Sequence, residues 1–230
     1  MTATLSPTGL ASRRGLGPVI GVHAGLFAGG AIALALDPPA QGWGVFLVVV
    51  AYVAALLWVC RATGRADLFA LAGFLAMVSV FQVLPDWVLA DLVGTLRFPD
   101  TGGPRVDDVI PVAMAAMWLA PLFAAVALAD GRPGRAALLA GVIFLGAEVL
   151  APSLGLWEPV GDTHRLLGVA VYVVPPEAAL GWAAATAFAM VRDRPLLARA
   201  GAALAVSTFY LGALVLTHFV VDVAVWRITH

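Results

Sequence analysis

Residues 168–182 read "GVAVYVVPPEAALGW", an apolar segment that contains two prolines and a glutamate. Each proline removes a backbone donor and clashes with the preceding helical turn, and a charged carboxylate in hydrocarbon costs at least a few kcal/mol. In a bilayer, irregular backbone is tolerated only where protein or a polar cavity satisfies it. The segment therefore predicts a membrane helix that is kinked at Pro175 and Pro176, with Glu177 inside a helix bundle.

The composition of the whole chain is that of an integral membrane protein. Of 230 residues, 62% are hydrophobic and 12% are charged, and the mean hydropathy is +0.97, far above soluble domains. The net charge of −1 gives no basic surface for nucleic acid, and the single Cys60 excludes an internal disulfide and a thiolate metal cluster. All 13 basic residues are arginine, which excludes a lysine Schiff base and therefore a retinal-binding rhodopsin.

The apolar runs predict an all-α polytopic membrane protein with seven transmembrane helices, because a bilayer core of about 30 Å takes roughly 20 apolar residues. The predicted spans are 18–36, 43–61, 67–85, 109–128, 135–151, 166–191 and 198–226. Residues 1–17 are predicted to be a cytoplasmic tail and 18–230 a single domain. "LDPPAQGW" (36–43) and "LAPSLGLW" (150–157) share Leu-x-Pro-x4-Trp and suggest a parallel repeat, with helices 1–3 and 5–7 joined by helix 4.

Arginine placement predicts the orientation. A cytoplasmic N-terminus puts nine arginines on the cytoplasmic side and four outside. By the positive-inside rule, the N-terminus is cytoplasmic and the C-terminus outside. We therefore expect a multi-pass protein of a bacterial or archaeal inner membrane, surrounded by membrane lipid.

Three acids lie within the predicted spans and are the first candidates for function: Glu148, Glu177 and Asp222. The topology predicts that they converge in the outer half of the bundle, whereas Asp86 and Asp91 are expected on or near the outer surface. A carboxyl group buried there is expected to be neutral and able to donate a proton.

His218 and Asp222 are four residues apart and share one face of the last helix. They form an acid–base pair, two metal ligands or a hydrogen-bonded polar pair. Two ligands are too few for a metal site, so no metal is expected.

Aromatic residues are predicted beside the acids. Trp157 is expected at the outer membrane boundary, and Trp118, Trp182 and Tyr172 are expected deeper in the membrane. Ring faces attract cations, and an acid facing aromatic walls in a dry pocket is what carbocation chemistry on a polyene requires.

The stretch "GAEVLAPSLGLW…LLGVAVYVVPPEAALGW" resembles the lycopene cyclase domain of the bacterial heterodimeric and fungal bifunctional type. That family has an acid, then Gly-x-Trp, Leu-Gly and Pro-x-Glu-Glu. The matching residues are Glu148 (usually aspartate in the family), Gly155, Trp157, Leu167, Gly168, Pro175 and Glu177. Ala178 replaces the second glutamate, and the aromatic residues that usually follow are absent.

The stretch "DLVGTLRFPDTGGPRVDDVIPVAMAAMW" is similar to membrane carotenoid hydratases of the bacterioruberin type. The shared features are Asp91 with Gly94, the Gly-Pro-Arg at 103–105, and Pro111 with Trp118. This resemblance implies that Asp91 contacts substrate. Small transmembrane terpene cyclases, which also have seven helices and essential carboxylates, are a third relative of the same chemical kind.

Taken together, the residues and the resemblances suggest a membrane enzyme that cyclises or hydrates a carotenoid or other terpenoid through a carbocation. Glu177 or Asp222 protonates an alkene or epoxide, and Glu148 positions the proton or takes it back. The predicted catalytic residues are Glu177, Glu148, Asp222 and His218; the predicted substrate-binding residues are Tyr172, Trp118, Trp157, Trp182 and Asp91. No cofactor is needed, and the expected partner is a lipophilic isoprenoid substrate.

Two other interpretations remain open. A proton-coupled transporter of small molecules would also place acids and a broken helix at mid-membrane. A non-catalytic membrane subunit of a two-chain complex is the second, so a homo-oligomer and a hetero-oligomer both stay possible. Uptake without product, or copurification of a second chain, distinguishes them from the enzyme.

Overall fold

A computed structural model of the protein describes Leu10 and residues 16–224, and the chain is mostly helical, with 72% helix and 6% strand. This confirms the predicted helical class. The predicted tail and the last six residues lie almost entirely outside the described part. The main helices are α1 (Leu16–Leu34), α2 (Ala40–Ala62), α3 (Ala66–Val93), α4 (Met114–Leu128), α5 (Pro133–Leu150), α6 (Val174–Val191) and α7 (Leu196–Ala224).

Five of these helices are long and apolar enough to cross a membrane by length and composition: α1, α2, α3, α5 and α7. Helix α4 is apolar but shorter, and α6 has 18 residues and begins with two prolines and a glutamate. Such a set of long apolar helices is that of a membrane protein.

Three helices are irregular. Helices α3 and α7 are irregular near the end of the bundle that contains the longer loops, and α4 is interrupted at Trp118. Helix α3 consists of Ala66–Phe81, Val83–Trp87 and the π-helical turn Val88–Val93; α4 consists of Met114–Met117 and Leu119–Leu128; α7 is α-helical over Leu196–His218 and π-helical over Phe219–Ala224. π-Helical turns are rare and often occur at functional sites.

The prediction of a kink at Pro175 and Pro176 was wrong, because both prolines lie in the first turn of α6. A proline there loses no helical hydrogen bond, since the first amides of a helix have no intrahelical acceptor. The preceding residues form a 3₁₀ turn, Val171–Val173, and the Tyr172 carbonyl accepts a hydrogen bond of 2.8 Å from Thr217 Oγ1 of α7. The prolines therefore fix where α6 begins.

The longer connections lie at one end of the bundle and form a structure that we call the cap, residues 94–113 and 151–173. It contains three two-stranded antiparallel pairs: β1 (Leu96–Arg97) with β4 (Glu158–Pro159), β2 (Arg105–Val106) with β3 (Ile110–Pro111), and β5 (Arg165–Leu166) with β6 (Val169–Ala170). The predicted starts of the fourth and sixth spans, at 109 and 166, were therefore wrong: Val109 lies in the turn between β2 and β3, and Leu166 lies in β5.

The cap is held together by a few specific contacts. Arg105 donates hydrogen bonds to the carbonyls of Phe98, Pro99, Asp108 and Val109, which closes the first loop on itself. The β1–β4 pairing joins that loop to the second one. Both loops therefore cover the same end of the bundle.

Helices α5 and α6 pack very closely. A Cβ atom added to Gly181 would lie 2.4 Å from Ala140 Cβ and 2.6 Å from the Ala136 carbonyl oxygen. Only glycine fits at that distance. This contact fixes the relative positions of the two helices that carry Glu148 and Glu177.

Candidate active site

A cavity of about 550 Å³ lies between the helices and the cap. We call it the acid cavity, because three carboxylic residues line it: Asp86 of α3, Glu148 of α5 and Glu177 of α6. Its other walls are mainly aliphatic and aromatic. A volume of this size is typical of a binding site for a small molecule or for one end of a larger one.

Glu177 is the most enclosed of the three acids. It lies in the first turn of α6 and is 1% exposed. Its Oε2 atom has no hydrogen-bond partner among the described residues. A buried polar atom without a hydrogen-bond partner lowers the stability of the fold. This oxygen is therefore available to a ligand or to a reaction.

Asp86 and Glu148 are each held by a tryptophan. The Trp118 indole donates from Nε1 to Asp86 Oδ2 at 3.0 Å, and the Trp157 indole donates to Glu148 Oε1 at 2.9 Å. Each indole fixes the orientation of one carboxyl group. The cavity thus contains two oriented acids and one acid with an unpartnered oxygen.

The three acids interact with one another electrostatically: Glu177 with Glu148 and Asp86, and Asp86 with Glu148. No arginine is among the described residues that line the cavity. Neighbouring carboxylates without a cation repel one another strongly in an apolar environment. Ionising all three acids at once is therefore unfavourable, and the arrangement favours a state in which they share protons.

Aromatic rings form a continuous wall beside the acids. The Trp118 ring lies 5.1 Å from that of Phe144 and 5.6 Å from that of Tyr210, with centroids as reference points. Tyr172 and Trp157 also line the cavity. Ring faces of this kind stabilise a positive charge on a ligand.

Five residues that the sequence analysis selected meet in the acid cavity: Glu177, Glu148, Tyr172, Trp118 and Trp157. Trp157 lies on the cap side of the acid cavity, where its indole donates a hydrogen bond to Glu148.

Trp182 and Asp91 do not line this cavity. Trp182, which was predicted to bind substrate, is 46% exposed and packs near Phe209. Five residues along a helix turn the side chain by roughly 140°, so Trp182 faces away from Glu177. Asp91 is exposed in the π-helical turn of α3, as expected from its predicted surface position.

Asp86 was missed as a site residue and wrongly expected at the outer surface; it is 3% exposed. The predicted third span ended at residue 85, whereas α3 continues to Val93 and keeps Asp86 within the bundle. Its position in the apolar sequence "FQVLPDWVLA" was the available signal. Tyr210 was also missed, although a tyrosine within the apolar run of α7 could have been selected.

Asp222 and His218 lie elsewhere, in a cavity of about 730 Å³ that we call the cap cavity. Asp222 Oδ2 accepts a hydrogen bond from His218 Nδ1 at 3.0 Å, so the prediction of a hydrogen-bonded pair is confirmed. Asp222 Oδ1 accepts from His164 Nδ1 at 2.8 Å and from the His164 backbone amide at 2.7 Å. The predicted convergence of Asp222 with Glu148 and Glu177 in one site was therefore wrong.

His164 was missed because it is distant in sequence from Asp222, and only the folded cap brings the two together. Within residues 16–224, no group of three or more histidine, cysteine or acidic side chains is arranged to hold a metal ion. The His164–Asp222–His218 cluster is thus a hydrogen-bonded unit around one carboxylate.

Comparison with known proteins places the chain in a family but provides no chemistry. Neither the search of curated proteins nor the search of solved structures finds a match. A family described as a domain of unknown function, DUF6989, matches residues 83–221. This match covers more than half of the chain and includes Asp86, Glu148 and Glu177. The chain therefore belongs to the DUF6989 family.

Proposed function

We propose that the protein is an integral membrane enzyme that protonates a lipophilic isoprenoid, such as a carotenoid end group, and cyclises or hydrates it through a carbocation. The observation that carries the proposal is Glu177, whose Oε2 atom has no partner among the described residues although the side chain is 1% exposed. An acid in that position, beside an apolar cavity with aromatic walls, is suited to proton donation.

The neutral form of Glu177 is the one that fits its surroundings. Ionising it would add a charge beside Asp86 and Glu148, in a cavity whose described lining contains no arginine. An isolated carboxylate in such surroundings is far less stable than the neutral acid. A proton on Oε2 then has no acceptor among the described residues, and an alkene in the cavity takes that place.

The proposed reaction uses the acids in two roles. Glu177 transfers its proton to an alkene carbon, which leaves a carbocation on the substrate and a carboxylate on Glu177. In cyclisation, a second double bond attacks the cation and a neighbouring carbon loses a proton to Glu148. In hydration, water adds to the cation and gives its extra proton to Glu148. Proton transfer from Glu148 back to Glu177 restores the starting state.

The aromatic wall stabilises the intermediate. Trp118, Tyr172 and Tyr210 line the cavity together with the acids. Ring faces near a cation contribute about 0.5–2 kcal/mol each, more where water is excluded. The same apolar surroundings keep bulk water from quenching the cation before the ring closes.

The lipophilic substrate follows from the walls that face outward. Phe27 of α1 and Leu150 of α5 line the cavity and are 75% and 56% exposed. In a membrane these side chains contact lipid tails. A polyene dissolved in the bilayer therefore reaches the cavity between α1 and α5 without crossing a polar surface.

We further propose that all seven main helices cross an inner membrane, with the N-terminus cytoplasmic and the cap outside. Among the described residues, the end opposite the cap carries seven arginines and the cap carries three; the seven are Arg61, Arg65, Arg132, Arg135, Arg192, Arg194 and Arg199, and the three are Arg97, Arg105 and Arg165. This asymmetry supports a cytoplasmic location for the arginine-rich end.

The test is expression in a host that produces polyenes, followed by mass spectrometry of the lipid extract. Cyclisation gives an isomer of the substrate and hydration gives a product heavier by one water. Glu177→Gln should remove the product, whereas Asp193→Asn, at an exposed position opposite the cap, should retain it. Proton-dependent uptake of a solute without any product would instead identify a carrier.

A further inference from the structure

The acid cavity and the cap cavity share one residue, Thr95, which lines both. Its side chain is buried, and its Oγ1 atom is hydrogen-bonded to the Tyr172 hydroxyl at 2.8 Å, with either atom able to donate. Tyr172 in turn lines the acid cavity. The two hydroxyl groups therefore form a polar connection between the cavities.

The cap cavity contains a hydrogen-bonded polar cluster that is partly exposed to solvent. His164 and His218 both donate to Asp222, and the His164 side chain is 56% exposed. The His218 ring also lies against the Tyr172 ring, with centroids 5.0 Å apart. The cluster is therefore a polar, partly exposed group next to the hydroxyl pair.

Where the acid cavity faces lipid, its lining includes the exposed apolar side chains of Phe27 and Leu150. His23 of α1 also lines the cavity, and its ring is hydrogen-bonded to the Val19 carbonyl and the Tyr52 hydroxyl within the helices. A proton does not cross hydrocarbon without polar groups or water to carry it. Carboxyl groups in the acid cavity therefore need a polar route from one of the other walls.

We propose that Thr95 and Tyr172 form a proton relay between the cap cavity and the carboxyl groups of the acid cavity. A hydronium ion in the cap cavity gives its proton to Thr95 Oγ1 and becomes water, while Thr95 releases its own proton to the Tyr172 oxygen. Tyr172 releases its original proton to a carboxylate of the acid cavity, which becomes a neutral acid, so both hydroxyls end neutral. The relay runs equally in reverse. It goes beyond the proposed chemistry, because it operates without substrate.

The relay is tested by hydrogen–deuterium exchange of the cavity acids. The protein is placed in lipid nanodiscs at an acidity that protonates these groups, and the shift of their infrared carbonyl bands is followed after transfer to D₂O. Glu177→Gln, Glu148→Gln and Asp86→Asn assign the bands. We expect Thr95→Val and Tyr172→Phe to slow the exchange by about tenfold or more, a barrier increase of about 1.4 kcal/mol.

Two further variants separate the relay from a change in structure. Thr95→Ser keeps a hydroxyl group and should retain the wild-type rate. Thr217→Val removes a hydroxyl that donates to the Tyr172 carbonyl but lines neither cavity, and it should also retain that rate. Unchanged exchange in Thr95→Val and Tyr172→Phe, or equal slowing in Thr217→Val, would overturn the relay.

The outcome is independent of the proposed function. Slow exchange in Thr95→Val, together with no isoprenoid product from the wild-type protein, would support the relay and contradict the proposed chemistry. Product that depends on Glu177, with exchange unaffected by Thr95→Val, would do the opposite.

Discussion

The acid cavity and the cap cavity each contain a buried carboxyl group, and their surroundings differ in one decisive respect. Asp222 in the cap cavity accepts three hydrogen bonds, from the His164 amide, the His164 ring and the His218 ring. Glu177 in the acid cavity has an oxygen with no partner among the described residues. A carboxylate with three donors is stable as an anion and contributes to the fold. A carboxyl oxygen without a donor contributes nothing to stability and is available for reaction.

Glu177→Gln is expected to have the largest effect and to separate reactivity from stability. The amide cannot donate an acidic proton, so product formation should fall by about a hundredfold or more. The unfolding temperature should stay the same, because the side chain forms no hydrogen bond through Oε2 that could be lost. Product yield in cells and thermal unfolding in detergent provide the two measurements. If Glu177→Gln unfolded at a lower temperature but still formed product, Glu177 would serve stability and not the reaction.

Gly181→Ala tests whether the acid cavity depends on the close contact of α5 and α6. The added methyl group would overlap Ala140 and the Ala136 carbonyl, so we expect a loss of about 1–3 kcal/mol in unfolding free energy. Gly212→Ala in α7 is the matched control, since its added Cβ meets no atom within 4 Å. Equal unfolding temperatures for the two variants would contradict the close packing.

Asp222→Asn is expected to show the opposite pattern from Glu177→Gln. An asparagine has only one acceptor oxygen, so it can accept from one of the two imidazole rings but not from both. About 1 kcal/mol of unfolding free energy should therefore be lost. The value is modest because His164 is partly exposed. Product formation should fall far less than in Glu177→Gln. If activity were lost as completely and stability unchanged, the two cavities would not differ in the way described.

Trp118→Phe is expected to have the smallest effect of the series. An aromatic ring remains, but the hydrogen bond from Nε1 to Asp86 is removed. The lost hydrogen bond corresponds to about 1 kcal/mol, so product formation should fall several-fold. Trp58→Phe, at a position 70% exposed, supplies the control. A comparable loss in both variants would show that the indole contact with Asp86 does not matter.

The sequence was informative where a single physical property decides the structure. Long apolar runs predicted the helices, and most of their ends lie within a few residues of the observed ones. Acids and aromatic residues inside those runs identified Glu177, Glu148, Tyr172, Trp118 and Trp157, which line one cavity. In each case the cost of polar groups in an apolar environment limits where the residue can lie.

The rest depended on contacts between distant segments. Asp86 is buried because α3 continues past Pro85, and the proline at the predicted end of the span concealed that continuation. His164 reaches Asp222 through the folded cap, 58 residues away in sequence. The prolines were interpreted as a kink within a helix that was assumed to start at residue 166, whereas the chain forms cap strands until Ala170.

The position of the two prolines also sets the depth of the acid cavity. Helix α6 begins at Val174, directly after the cap, so the 3₁₀ turn from Val171 to Val173 forms part of the boundary of that space. One additional helical turn would add about 5.4 Å of backbone in this direction. A relative with its proline pair four residues earlier is therefore expected to have a shallower acid cavity. The start of one helix, together with the side chains that line the space, limits how deep the acid cavity is.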